Sequence, residues 1–288
     1  MLAFDMELDD YFTRIFDPAI EYYTLVIHHV EDRFAKPEFV ELNGIPQWRY
    51  PGFTVEHMCL LRGIRIISAF NAIRALLMGG YVQEISILLR TIDDFQEDIV
   101  FLIENYPADE LTNQQQKFMT ELGKEEYVDL NHPFATKVTR EPPIRRKIKA
   151  AVARFLTPVA NPSDSQKVSH VSTDCLSGYV HGAYPHIMEL YGGAPPDSQF
   201  HLTGMLGTPR IKAWMKFIAI YLQRTGPILA FMCHAFGMED EVQSLVHMKT
   251  WFLRELGDCF GLKTDYTSDE IMKEIKTGKG QQRPERDK

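Results

Sequence analysis

From residue 170 to 184 the chain reads His-Val-Ser-Thr-Asp-Cys-Leu-Ser-Gly-Tyr-Val-His-Gly-Ala-Tyr. At about 100° per residue, a helix gathers His170, Asp174, Ser177, His181 and Tyr184 into one narrow stripe. Val171, Cys175, Leu176, Tyr179, Val180 and Ala183 take the other side. A solvated stripe is ordinarily built of Lys, Glu, Arg and Gln, whose flexible chains suit helices. This one uses short, hydrogen-bonding, proton-transferring types instead. His170 and Asp174 at i, i+4 can touch, and a carboxylate beside an imidazole can orient it for acid–base work. The same residues could also form a polar seam that hydrogen-bonds neighbouring helices and fixes their register.

A second constellation is Arg90, Asp93, Asp94, Glu97, Asp98 and Glu104. Arg90 can pair with Asp94 or Glu97 at helical spacing, and the surplus of carboxylates reads mostly as a surface face. Glu84 borders the apolar arc of the same helix, so it needs a buried partner, which Arg62, Arg65 or Arg74 of the preceding helix could supply. A third is basic: Lys137, Arg140, Arg145, Arg146, Lys147, Lys149 and Arg154 place seven cations in eighteen positions against one acid, Glu141. Such a patch can contact a phosphate backbone, with Arg145, Arg146, Lys147, Lys149 and Arg154 as the nucleic-acid-binding candidates; a solvated helix face would look the same.

No metal or cofactor is expected. The two Glu-x-x-His pairs of a di-iron bundle are absent, since Glu56-His57 is adjacent and His186-x-x-Glu189 is reversed. The His-Glu-x-x-His, dinucleotide, phosphate-loop and nucleophile-elbow motifs are absent as well. Cys59, Cys175, Cys233 and Cys259 are scattered, which suits reduced thiols better than a disulfide scaffold or a zinc site.

The elements that must position these residues read as helices. Composition is that of a globular chain: 288 residues, 45% hydrophobic and 24% charged, with a net charge of -8. That acidity rules out nucleic-acid binding over the whole surface. An acidic N-terminus and the interruption of the best apolar stretch, Trp214 to Phe236, by Lys216, Gln223, Arg224 and Pro227 point to a cytoplasmic protein outside the membrane.

Helical spacing predicts a helix over Glu7 to Phe34, with a break or kink at Pro18, and a loop over Pro37 to Pro51. It predicts a helix from Val55 to Met78, capped by Thr54 and apolar nearly all round as a central helix would be. Gly79-Gly80 then links it to a second helix over Tyr81 to Glu104, an antiparallel hairpin. Further helices are expected at Asp109–Leu122, Lys124–Leu130, Ile144–Leu156, Ser163–Tyr184, Thr208–Phe236 (kinked at Gly226-Pro227), Glu239–Phe260 and Ser268–Ile275, with Gly192–Gly207 as a loop. The fold class is all-α, a helix bundle built on the hairpin. The organisation is one helical domain over residues 1–276, with a mobile polar excursion at about 106–160 and a disordered tail at 277–288.

Two of these segments carry a resemblance. Tyr81 to Phe95 (Tyr-Val-Gln-Glu-Ile-Ser-Ile-Leu-Leu-Arg-Thr-Ile-Asp-Asp-Phe) and Leu176 to Gly182 (Leu-Ser-Gly-Tyr-Val-His-Gly) together resemble a broad family of uncharacterised all-helical prokaryotic proteins. There, one long helix carries Leu-Leu-Arg followed by an acidic or small residue and an aromatic, and a later helix carries Ser-x-x-Val-His-Gly. That family is similar in turn to the HEPN superfamily, and the likeness covers roughly residues 55 to 185.

The resemblance implies a HEPN-like bundle without a cofactor. It implies either a metal-independent endoribonuclease, toxin or phage-defence component, or a non-catalytic module that binds protein or nucleic acid. In the first case His181 would be the acid–base group and Arg90 would hold a phosphate. RNA, an antitoxin or other protein, and a second copy of the chain are the partners it suggests. Active HEPN ribonucleases place an Arg and a His four to six residues apart on one helix, a spacing that Arg90 and His181 do not have.

Overall fold

Thr54 starts the central hairpin. Its backbone is extended, its hydroxyl accepts from the His57 amide, and the His57 ring faces back in a capping box. Val55–Gly79 then runs as one helix and stops where Gly80 turns left-handed, at φ 75°. Val82–Ile103 returns antiparallel beside it, with Ile85, Leu89, Ile92 and Ile99 fully buried. Each such side chain contributes about 1.5–3 kcal/mol by leaving water.

A computed structural model describes residues 7–42, 45–106, 111–125, 139–143, 145–156, 174–192 and 198–260. We label the helices in chain order. The first, α1, comprises an α-helical turn Leu8–Tyr11, a π-helical segment Phe12–Phe16 and an α-helix Asp17–Asp32. The hairpin is α2 (Val55–Gly79) and α3 (Val82–Ile103). Then come α4 (Asn113–Leu122), α5 (Arg145–Leu156), α6 (174–180) and α7 (Tyr184–Met188). The last two are α8 (Pro209–Ala235) and α9 (Glu239–Phe260). The result is an all-α bundle. α3 is its middle helix, contacting α2, α5 and α8, and α1 closes the core between α2 and α8.

Several expectations are corrected. Pro18 does not break the first helix: the π-helical segment widens the chain just before it, and Pro18 sits in the first turn of the following α-helix, where a missing amide matters least. The stretch Pro37 to Pro51 is not a loop but a hairpin, β1 (Glu38–Leu42) and β2 (Ile45–Arg49), with Leu42 opposite Ile45 across a two-residue Asn-Gly connection. A second, minimal ladder pairs β3 (Tyr191–Gly192) with β4 (Gln199–Phe200) inside the expected 192–207 loop. α2 is not apolar-and-buried all round, because Leu61, Ile64 and Met78 lie exposed along one side. As expected, α8 runs as one helix with Pro227 inside it, and Tyr23 of α1 reaches in to donate a hydrogen bond to the Leu222 carbonyl at 2.9 Å.

The expected helix Ser163–Tyr184 is described only from residue 174, and it ends at the turn holding Gly182, φ 61°. The Lys124–Leu130 helix beyond Glu125, the Ser268–Ile275 helix and the 277–288 tail lie outside the described residues. Cys59, Cys233 and Cys259 are buried and Cys175 is exposed. Burial pushes the Cys233 thiol up to about 12. Among the described residues no helix is long and apolar enough to cross a membrane.

The hairpin turn is stitched to the segment before α8 through a main-chain contact. Met205 donates its amide to the Gly80 carbonyl at 2.9 Å, and a Cβ on Gly80 would meet the Met205 and Leu206 amide nitrogens at 2.6 Å. A Cβ on Gly204, φ 100°, would collide with the Gly79 carbonyl. Gly207 also has positive φ, 77°, but has open space around it. Gly204→Ala should therefore cost clearly more than the roughly 1–2 kcal/mol of left-handed strain alone, and Gly207→Ala no more than that strain. Urea denaturation of the two variants measures the gap.

Candidate functional site

Three acidic residues of α3 lie at the centre of the molecule rather than on its surface. Asp93, Glu97 and Asp98 are 5, 9 and 3% exposed, so they cannot be the solvated face that their types suggest. A buried carboxylate needs a cation or several hydrogen bonds. Three other helices supply them.

From α5, Arg145 bonds Asp94 at 2.5 Å, lies 3.3 Å from Glu97 and is paired with Asp98, while Lys149, 4% exposed, reaches Glu97 at 2.9 Å. From α2, Arg62 meets Asp98 at 3.0 Å and lies over the Phe95 ring at 4.8 Å. Arg90 of α3 itself pairs with Asp94 at 2.5 Å. From α8, Tyr221 donates its hydroxyl to Asp93 at 2.8 Å, and Arg224, half-exposed, lies 3.2 Å from the other Asp93 oxygen. Beside them Gln96 donates to Thr225 at 2.9 Å.

The electrostatics follow from burial. Desolvation raises the Asp93 carboxyl above its ordinary value, against the pull of Arg224 and of the Tyr221 hydroxyl. It raises Asp98 as well, against Arg145 and Arg62. Burial alone would lower the Arg145 guanidinium, but Asp98, Asp94 and Glu97 together hold it above its ordinary value.

This geometry divides the nucleic-acid candidates. Arg145 and Lys149 point inward and are committed to carboxylates. Arg146 and Lys147 face solvent, and Arg154, exposed, lies 3.9 Å from Glu104. Lys137 lies outside the described residues. Glu84 is exposed and takes no buried partner, because its candidate arginines are used elsewhere: Arg62 on Asp98, and Arg74 on Asp17 at 2.7 and 2.9 Å.

The stripe on α6 is not assembled into a triad. His170 lies outside the described residues. Asp174, His181 and Tyr184 are exposed and Ser177 is half-buried, with His181 in the turn after α6 and Tyr184 already opening α7. Among the described residues, neither the buried-seam nor the cleft environment expected for His181 surrounds it. The apolar side of α6 carries the contacts instead. Tyr179 donates to Glu189 at 2.9 Å, Arg210 pairs with Glu189 at 2.8 Å, and the Tyr179 ring meets those of His186 and Trp214 at 4.2 and 5.7 Å. Gly178 permits this, since a Cβ there would strike the His186 ring.

Sequence reasoning missed Tyr221, Gln96, Thr225 and the Tyr179–Glu189–Arg210 set. A readable signal existed for one of them: a Tyr three residues before an Arg on an otherwise apolar helix is placed to share that Arg's partner. Among the described residues no group of three or more His, Cys, Asp or Glu side chains is placed to hold a metal ion.

Removing one partner of a buried ion pair strands the other. Lys149→Met should therefore destabilise by about 3–5 kcal/mol, Arg146→Ala by no more than about 0.5 kcal/mol, and Glu97→Leu added to Lys149→Met should restore part of the loss, all read by denaturant unfolding. A raised carboxyl also makes a pH prediction. The folded chain holds the Asp93 proton more tightly than the unfolded chain does, so this group's contribution is fully present below the ordinary 3.8 and is lost as pH rises through the raised folded value. The stability of Asp93→Asn relative to wild type should accordingly improve as pH climbs from about 4 toward neutrality; a flat or falling difference contradicts it. No protein-family model, curated protein or solved structure matches the chain.

Proposed function

We propose that this chain is a non-catalytic helical interaction module of HEPN-like organisation, which pairs with a protein surface and first of all with its own copy. The observation that carries this reading is an apolar band on the outside of the hairpin. It begins with Leu61 and Ile64 on α2, passes the exposed Arg65, Ser68, Asn71, Ala72 and Ala75, and reaches Met78, 53% exposed. There the Gly80 contact brings in Leu206, also 53% exposed, with Tyr81 beside it. Leu202, Ile187 and Tyr184 are exposed as well, Leu202 and Tyr184 at 79 and 77%. The bond from the Gln83 side chain to the His186 carbonyl ties that region to α3. Single exposed apolar residues are ordinary, but this many on α2 and on the turns beside it suit a docking surface.

The endoribonuclease reading has less support. Its phosphate-holding candidate, Arg90, is engaged by Asp94, and of the described cations in the basic run Arg145 and Lys149 are committed to carboxylates.

Purified protein incubated with mixed RNA in EDTA should leave the RNA intact, with wild type and His181→Ala alike. Metal-independent cleavage that disappears in His181→Ala would overturn the reading in favour of the nuclease. In sedimentation experiments wild type should show concentration-dependent self-association, lost in Ile64→Glu/Met78→Glu with an unchanged circular dichroism spectrum.

A further inference from the structure

A cavity of about 230 Å³ opens between α3, α5 and α8, on the side of the ion network away from α2. Its two ends differ in chemistry. One is walled by Val100 of α3, Val152 of α5 and Ile228 and Phe231 of α8. The other presents Asp93, Glu97 and Arg224, with Gln96 and Gln223 beside them.

The polar end is short of donors. Asp93 is 5% exposed, and although Tyr221 satisfies one of its oxygens, the other is buried without a hydrogen bond. Arg224 Nη2 lies 3.2 Å from that oxygen, but the Arg224 side chain is half in solvent and half over the Tyr221 ring, at 5.1 Å. A second acceptor comes from the backbone. Pro227 has no amide, so the Gln223 carbonyl four residues earlier lacks its helical donor, and both residues line the cavity. The nearby cations Lys149 and Arg145 are already held by Glu97, Asp94 and Asp98.

A buried carboxylate oxygen and a backbone carbonyl beside an apolar chamber ask for a ligand with several N–H donors and a compact hydrocarbon body. An anion is disfavoured by Asp93 and Glu97. A neutral hydrocarbon would leave the Asp93 oxygen unpaired. We propose that this cavity is a binding site for a small primary amine with an alkyl or aryl body: its ammonium group replaces Arg224 as the partner of Asp93, and its body lies against Val100, Val152, Ile228 and Phe231. Arg224 is then a competitor for the site, displaced into the solvent that already surrounds half of it. This site stands apart from the apolar band on α2 and does not depend on it.

The test is calorimetric and NMR titration of the full chain with 2-phenylethylamine, beside 2-phenylethanol and phenylacetate. The amine should bind saturably, and the alcohol and the acid should bind weakly or not at all. Asp93→Asn should weaken the amine by about tenfold or more, since a charge-assisted bond is lost. Val152→Trp should abolish binding by filling the chamber while leaving the ion network in place. Arg224→Gln should bind the amine more tightly than wild type, a result that a merely structural Asp93 would not produce and one available even if Asp93→Asn folds poorly. Absence of saturable amine binding overturns the proposal. So does binding that is indifferent to Val152→Trp, equal affinity for the alcohol, or weaker binding by Arg224→Gln.

Discussion

Desolvation of the α3 carboxylates is the constraint that organises the rest of the molecule. Asp93, Glu97 and Asp98 sit where an ordinary amphipathic helix would carry aliphatic side chains, and each demands a cation delivered from elsewhere. Arg145 and Lys149 meet that demand by laying α5 across α3; Arg62 meets it from α2, and Tyr221 and Arg224 from α8. Hydrophobic packing holds the helices together, but it is indifferent to small slips along a helix axis. Charge pairs with fixed atoms are not. The network supplies register to a bundle whose aliphatic contacts alone would tolerate several, a role attested for buried polar groups in other helical assemblies.

How much of this was legible in the sequence varies with the range of the interaction. The Thr54 cap, the Gly79-Gly80 turn and the paired helices around it follow from neighbours a few residues apart, and they stand in the structure as the spacing predicts. The hairpin at Glu38–Arg49 was hidden because apolar Phe39 and Trp48 sit on its exposed face and polar Gln47 and Arg49 on its half-buried one, so no alternation of apolar and polar residues marks the strands; only the Asn-Gly pair did. The burial of α3's acids was illegible for a different reason. Carboxylates read as solvent-facing until their partners are known, and those partners lie on α2, α5 and α8, far apart in the sequence. The basic run at Arg145–Arg154 was conspicuous, but its meaning reversed once half of it turned inward.

The stripe from His170 to Tyr184 illustrates the converse. Its spacing is real, yet helical periodicity holds only while the helix does, and this one ends at the Gly182 turn. His181 still takes the last helical bond, from its amide to the Ser177 carbonyl, but Tyr184 lies past the turn and opens another helix. What α6 contributes to the core comes from Leu176 and Tyr179, on the side of the helix that looked merely apolar.

The seam between the hairpin turn and the segment before α8 has a consequence of its own. Gly79, Gly80, Gly204 and the Met205 amide make the close contact at that junction from backbone atoms, over a Met205 side chain buried in the core. Tyr81, Leu202 and Leu206 are displayed beside it, exposed to solvent. A surface supported in this way can be rewritten residue by residue, through evolution or by design, to suit a different partner while the bundle beneath it stays unchanged.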